Sequence, residues 1–495
     1  MADALADIIE REVQGNPDRI ALRFERREIS YGALWGLVLA VTHHLIGAGV
    51  RSGDRVAYWG LNHPVMLAML FALARLNAIL LPLNYRLANA EISSILTHAG
   101  ARLIVADHAH EDSAHALQSS LGFRLMAASD LILGSSGERV SLNGEASSPA
   151  LLVYTSGTTG QPKGALHTQA GMLANCVMSV EAHQFTPQDH VLTVLPLFHV
   201  GGLCIQTLPA LLAGAQVTLQ ARFDAAAWLA DVAVLRPTTS LMVPATMRAV
   251  VEHAKFADTD LSSLRQLSAG SSSIPQALIS AFDTRGIPVC QIYGATETGP
   301  VSICLSPADA FHHAGSAGKA ARGVEVRLVT ESGVEVDSPA VGEIWLRAPN
   351  LLREYWRDPQ HPSFQNGWFH TGDLAYCDFE GFYHVVGRCK DMIISGGENI
   401  YPAEIENILA ECGWISEATV VGLPDQTWGE VAVAVIVKKP SATAMEADVL
   451  ALLEGKLARF KRPRRVVFCD SLPKTALGKV QKTQLTAQLM KLLGS

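Results

Sequence analysis

Apolar and polar positions along this chain follow more than one rhythm. Up to about residue 310, runs such as Arg55-Val-Ala-Tyr, Leu103-Ile-Val-Ala, Ala150-Leu-Leu-Val, Val191-Leu-Thr-Val-Leu and Ser240-Leu-Met-Val recur between stretches of helical periodicity. Strand alternating with helix predicts parallel sheets of α/β type. Residues 322–386 change character. Short alternating segments, Val324-Glu-Val-Arg-Leu and Glu343-Ile-Trp-Leu among them, are separated by turns and predict a small β-barrel-like subdomain. Beyond a boundary at Gly387 to Asp391 the pattern suits a small α+β unit: helix 402–410, strand near 418–421, strand 431–438, helix 446–459, strand 465–468 and a closing helix after Lys482. The most apolar segment, Val65 to Ala74, is broken by Arg75 and Asn77. It is too short to span a bilayer and predicts a core helix.

Composition narrows the class. A chain of 495 residues, 49% hydrophobic and 17% charged, describes several packed units around a large core. A net charge of −8 gives no general attraction to nucleic acid or to an anionic membrane. No nucleic-acid partner and no integral membrane association are expected. The 8 cysteines are scattered, without Cys-x-x-Cys or zinc spacing, which points to a reduced compartment. Met1-Ala-Asp-Ala-Leu-Ala-Asp carries acid where a signal peptide carries base. A cytoplasmic location is expected, and a homodimer is allowed.

The chemistry is most concentrated at Tyr154-Thr-Ser-Gly-Thr-Thr-Gly-Gln-Pro-Lys-Gly164, directly after the strand-like run 150–153. Glycines let backbone N–H groups turn toward an anion, hydroxyls add donors and Lys163 adds charge. This is a phosphate cradle. It is not a Walker loop, since no Gly-Lys-Ser/Thr occurs.

The stretch resembles the phosphate loop of the adenylate-forming superfamily, which holds acyl- and aryl-CoA synthetases, firefly luciferase and peptide-synthetase adenylation domains. The resemblance continues in order through Leu195-Pro-Leu-Phe-His-Val, Tyr293-Gly-Ala-Thr-Glu, Thr371-Gly-Asp, Gly387-Arg-Cys-Lys-Asp and Pro473-Lys-Thr-Ala-Leu-Gly-Lys479. It covers essentially the whole chain and is nearest acyl-CoA synthetases of the fatty-acid and 4-chlorobenzoate-CoA ligase type. It implies an α/β fold: a large N-terminal adenylate-forming domain, 1–388, with doubly layered sheets and the β-rich subdomain 322–386. A hinge at 389–391 and a mobile α+β lid domain, 392–495, complete it.

Adenylation needs little base chemistry. A carboxylic acid is already ionised at neutral pH, and the barrier to its attack on the α-phosphorus of ATP is charge repulsion and positioning. The residues the resemblance implies are of that kind. Thr155, Ser156, Gly157, Thr158, Thr159, Gly160 and Lys163 hold the β- and γ-phosphates. Gly270, Ser271, Ser272, Gln291, Ile292, Tyr293 and Gly294 border the nucleotide, with Tyr293 on adenine. Thr296 contacts the α-phosphate and Glu297 helps hold Mg²⁺. Asp373 accepts from the ribose hydroxyls, and Arg388 contacts ribose and phosphate. Lys479 reaches across from the C-terminal domain, with Lys474 and Lys482 as nearby decoys.

For coenzyme A the resemblance implies a swing about Lys390, with Asp391 as the neighbouring alternative. The thiol path would run along Gly396 and Gly397, lined by Trp428. Phe460, Arg462, Arg464 and Arg86 would hold the nucleotide of CoA. The cations Lys461, Arg462, Arg464 and Arg465 beside an aromatic suit an anionic nucleotide on chemistry alone, although a solvated strand edge would look the same.

His199 stands where amino-acid-activating relatives carry an Asp, so the acid lacks an ammonium. His199, Val200, Gly201, Met242, Ala269, Gly299 and Pro300 form the expected acid pocket, with Ile292 and Gly294 alongside. All but His199 are apolar or small, so the tail is uncharged. Gly201 and Gly299 suggest room for it. Arg248 is off the register of a second-carboxylate anchor. The expected reaction is carboxylic acid plus ATP to acyl-adenylate and pyrophosphate, then CoA to acyl-CoA and AMP, leaning to a medium- or long-chain fatty acid. An aromatic-acid ligase of feruloyl or benzoate type, transfer to a carrier-protein thiol and a non-catalytic adenylate-binding protein stay open. Nothing argues for a luciferase-like oxygenase.

Overall fold

The computed structural model describes the chain apart from residues 1–3, 6, 133–143, 156–162, 273, 397, 441, 476–477 and 494–495. Two large sheets share one core. The first is nine-stranded, running Lys319–Ala320, Ile303–Cys304, Val289–Tyr293, Gln266–Gly270, Thr239–Met242, His190–Thr193, Gln216–Leu219, Ile20–Phe24 and Arg27–Ser30. The second is seven-stranded, running Glu354–Tyr355, Lys163–Thr168, Pro149–Thr155, Ile79–Leu83, Arg55–Trp59, Leu103–Ala106 and Arg124–Ala127. Both are parallel through the middle, as the apolar runs predict. Both edges of the first sheet and one edge of the second are antiparallel, where Arg27–Ser30 and Lys163–Thr168 turn back onto their neighbours, while the edge strand Arg124–Ala127 stays parallel.

The segment read as a core helix is one. Pro64–Arg75 is buried along its whole length, as a helix apolar on every side must be. Its core cluster draws Val56, Leu80 and Leu103 from the second sheet and Val191, Val217 and Leu22 from the first. Pro64 occupies the first turn, and His63 Nδ1 accepts from the Val65 N–H to cap it. Arg75 closes the helix with its guanidinium 4.8 Å from the Trp35 ring.

The alternating segments form a five-stranded antiparallel sheet: Glu325–Val329, Gly342–Arg347, Trp368–Cys377, Phe364–Gln365 and Tyr383–Arg388. Among the described residues no pairing joins its outer strands into a closed barrel. A last five-stranded sheet takes strands only from Ile393–Ser395, Glu398–Ile400, Ile415–Asp425, Gly429–Lys438 and Arg465–Phe468. The helix expected over 446–459 stops early, at Glu446–Leu453. Gly455 follows at φ +74°, a left-handed position that ends a helix. The link between the last two sheets is the single short turn Cys389–Asp391.

Candidate active site

The strand Val289–Tyr293 runs into a turn where the chain crosses itself. A Cβ on Gly294 would collide with the Pro300 carbonyl oxygen, so only glycine fits there. Tyr293 then points its hydroxyl at Asp373 and donates to Oδ2 at 2.9 Å. Asp373 and Arg388 are cross-strand partners in the small antiparallel sheet. Arg388 Nε donates to Asp373 Oδ1 at 2.7 Å. A carboxylate has about four acceptor positions, so this one keeps capacity for further donors.

Lys479 arrives from the C-terminal end. Its backbone is pinned in a tight turn, with Thr475 N–H donating to the Lys479 carbonyl and Gly478 at φ +80°. A Cβ on Gly478 would lie 3.3 Å from Ala245, so the turn rests against the helix Pro244–Val251. The ammonium is shielded there beside Arg388, Asp373, Asp391 and Lys390. Burial and the Arg388 charge pull its pKa below the usual lysine value, against the opposing pull of Asp373 and Asp391. The two decoys are engaged locally, Lys474 with Glu417 at 2.6 Å and Lys482 with Glu406 at 2.8 Å.

The two ends of the glycine-rich loop, Thr155 and Lys163, pair across an antiparallel ladder. Ser156, Gly157, Thr158, Thr159 and Gly160 lie outside the described residues, as does Gly397. Lys163 Nζ lies 2.8 Å from His361 Nε2 and 5.6 Å from the Tyr355 ring centroid. Tyr355 in turn donates to Glu297 Oε1 at 3.0 Å, so one ring links the loop lysine to the Glu297 carboxylate. His167 is buried and hydrogen-bonds the backbone of Thr296. Tyr355, His361 and His167 were not among the expected site residues, and none sits in a motif that marks it. Gly270 pairs with Ile292, and Ser271 and Ser272 are exposed beyond it. The amide nitrogen of Gln291 is shielded and has no partner.

On the acid side, His199 is half-buried with its Nε2 shielded and unpartnered. Burial, helped by the Arg86 charge, lowers its pKa to about 3, so the ring is neutral at physiological pH. Phe198 and Tyr85 stack edge-on at 5.3 Å, and Arg86 lies over Tyr85 at 5.3 Å. Arg86 therefore sits by the acid end. Trp428, Arg464 and Gly396 form a separate group. Arg464 lies 4.5 Å from the Trp428 ring, and a Cβ on Gly396 would come within 2.7 Å of that ring. Arg462 pairs with Glu454, and Lys461 with Glu404.

Three expectations for the acid pocket need correction. Gly299 does not face open room. It has φ +95°, and its Cβ would meet Asn350 Nδ2 and the Asn350 carbonyl at 2.8 Å. Met242 and Ala269 are fully enclosed in the core, in a cluster with Leu278 and Phe282. Successive strand residues face opposite sides, so Leu241 and Ser268 are turned the other way, where Gln206 reaches Ser268. Gly201 does face space, since no atom lies within 4 Å of where its Cβ would be. Arg248 is half-exposed and paired along its own helix with Glu252.

The AMP-binding enzyme family model matches residues 9–356, and that of the AMP-binding enzyme C-terminal domain matches residues 404–479. The chain belongs to the AMP-binding enzymes. It is 44% identical over 492 residues to the indoleacetate–CoA ligase of Aromatoleum aromaticum, covering 97% of this chain and 96% of that one. It is 38% identical over 477 residues to the feruloyl-CoA synthase of an Amycolatopsis species, covering 96% and 97%. Among solved structures, ATP-bound MatB from Rhodopseudomonas palustris matches with a TM-score of 0.91 at 30% identity, covering 98% and 99%. This AMP-binding enzyme is an acid–thiol ligase of the AMP-forming kind, and the class uses ATP, Mg²⁺ and coenzyme A.

The residues present fit those groups. Among the described residues no cluster of three or more His, Cys, Asp or Glu could hold a metal by itself. A lone Glu297 suits Mg²⁺, which keeps waters and is bound by one or two carboxylates together with substrate phosphates. The spare acceptor capacity of Asp373 and the unpartnered Gln291 nitrogen suit a nucleoside. Trp428, 41% exposed beneath a guanidinium, suits a nucleotide arriving from solvent. No helix among the described residues is long and apolar enough to cross a membrane.

Proposed function

We propose that this AMP-binding enzyme activates an aromatic carboxylic acid and delivers it to coenzyme A. The approach of Lys479 to the Asp373–Arg388 pair carries the reaction class, because it assembles cationic stabilisation from both lobes at one place. In this reading Lys479 and Arg388 offset charge at the reacting phosphate, and Asp373 orients the ribose. Tyr293 borders the adenine, Thr296 and the loop 155–163 engage phosphate, and Glu297 holds the Mg²⁺ that ATP carries. Arg388 stays cationic throughout, its pKa raised by Asp373 against the cost of burial. A neutral His199 would position the acid without repelling or protonating it.

The second half-reaction would follow a swing of residues 392–495 about Lys390, within 389–391. That motion would exchange Lys479 for the Gly396–Trp428 face, with Phe460, Arg462 and Arg464 on the CoA nucleotide. The enzyme would work in the cytoplasm on small-molecule substrates.

For the acid, relatives named for indoleacetate and ferulate favour a ring over the fatty chain toward which the sequence leaned. The apolar wall suits both, so the test is direct. A panel of arylacetic, cinnamic, benzoic and C6–C16 aliphatic acids is offered with ATP and CoA, and AMP release is measured. Aromatic acids are expected to lead in kcat/KM. A lead by the aliphatic acids sinks the ring assignment, and ADP as product sinks the reaction class.

A further inference from the structure

Close to His199, whose Nε2 is unpartnered, a second buried polar atom also has nothing to bond. Gln206 lies in the π-helical turn Gly201–Thr207, which begins two residues after His199. Such turns are frequent at functional sites. Gln206 is 2% exposed. Its amide nitrogen is fully used, at 3.1 Å from Thr239 Oγ1 and 3.0 Å from Ser268 Oγ. Its carbonyl oxygen Oε1 has no partner. Beside Gln206 is a cavity of about 10 Å³ bounded by Leu195, Gly202 and Leu241 as well. Leu195 begins the stretch that runs to His199, and Leu241 faces the same side as Ser268. Gln206 also shares its turn with Gly201, beside which there is open space.

An unpaired buried acceptor costs about 1–3 kcal/mol, and so it seldom persists without something to serve it. An apolar tail would leave it unserved. We propose that Gln206 Oε1 is the recognition point for a hydrogen-bond donor on the tail of the acid, an indole-type N–H or a phenolic O–H on a ring. This rests on the aromatic-acid reading above and narrows it to ring acids that carry a donor. With the amide nitrogen donating to the two hydroxyls, the oxygen is left for the substrate. The cavity itself has room for about one water-sized group. The ring would occupy the space at Gly201, and its donor alone would reach toward Gln206.

The test compares two acids of nearly equal shape, indole-3-acetate and 1-benzothiophene-3-acetate, in which sulfur replaces the N–H. In the wild-type enzyme kcat/KM should favour the indole by ~10-fold or more, the scale of one buried hydrogen bond. In Gln206→Met, which keeps length and removes the acceptor, the ratio should fall to within about threefold, because that bond is gone. The wild-type ratio needs no variant, so a misfolded Gln206→Met cannot hide the answer. Equal wild-type values would mean that an enclosed water serves the oxygen, and would overturn the proposal. So would a ratio that survives in Gln206→Met. If neither ring acid reacts but aliphatic acids do, the ring assignment fails separately. An ω-hydroxy fatty acid should then still outpace its methyl-ended analogue in the wild type alone, and equal rates would overturn the role of Gln206 itself.

Discussion

At the nucleotide end the charged groups already hold one another. Asp373 takes hydrogen bonds from Tyr293 and Arg388, Glu297 takes one from Tyr355, and Lys163 lies against His361. At the acid end, in the loop and π-helical turn that follow the strand His190–Thr193, His199 Nε2 and Gln206 Oε1 are shielded and unpaired. The difference follows from what each end must do. The phosphate chemistry is the same for every acid, so its donors and cations can be fixed in advance and cost no reorganisation when charge develops. The acid varies, and selectivity for it needs groups that only the right substrate satisfies.

The first way to break the comparison is to remove a pre-placed cation. Lys479→Ala should slow adenylate formation by on the order of 10²-fold or more, the scale for one lost transition-state stabiliser. Given preformed acyl-adenylate, the same variant should still make thioester. Equal loss in both half-reactions, in a protein that remains folded, would mean that the cation does not belong to the nucleotide end alone.

A change at the acid end should leave nucleotide chemistry alone and alter the choice of acid. Gly201 borders open space, so Gly201→Leu should fill it without displacing a neighbour. Large ring acids should lose ~10–100-fold in kcat/KM relative to the smallest acids, the scale of steric discrimination in an apolar pocket. ATP affinity, read by equilibrium binding, should stay put. A uniform loss on all acids would place Gly201 outside the pocket.

The two ends were not equally legible in the sequence. Tyr293, Asp373, Arg388 and Lys479 lie far apart along the chain, yet each sits in a motif whose order reflects shared chemistry, and the structure brings them together. The motif already singled out Lys479 over Lys474 and Lys482, and the structure adds that Glu417 and Glu406 occupy the other two. On two strands the acid wall was named at Met242 and Ala269, which the structure encloses in the core, while Leu241 and Ser268, one residue back, are turned toward Gln206. Gln206 carries no motif, and only its missing partner marks it. The small C-terminal helix was drawn through Gly455, whose left-handed φ appears only in the structure.

Acid should lower stability through a buried histidine at each end. The folded-state pKa of His199 is lowered to about 3 and that of buried His167 to about 4, each below the unfolded value of 6.5. Below pH 6.5 the unfolded chain takes up protons that the folded chain refuses, so stability falls as pH drops toward 4 and is unaffected above 6.5. For His167 the loss would approach ~3 kcal/mol at the bottom of the window. Tm measured from pH 7 to pH 4 should fall, and less steeply in His167→Asn. An unchanged slope in that variant would show that His167 is not kept neutral by burial.

The smallest effect separates two glycines that look alike in the sequence. Gly299 is held at φ +95° against Asn350, whose side chain also bonds the Thr298 and Val301 carbonyls. An alanine there is strained in its own backbone and presses on a buried amide that the turn depends on. Gly299→Ala should therefore lower stability by about 1–3 kcal/mol, seen as a lower denaturation midpoint. The ranking of acids should not change, because the new methyl points into the scaffold and not at the substrate. If Gly299→Ala instead keeps its stability and shortens the accepted tail, Gly299 belongs with Gly201 in the pocket wall, and the acid end is larger than its unpaired atoms indicate.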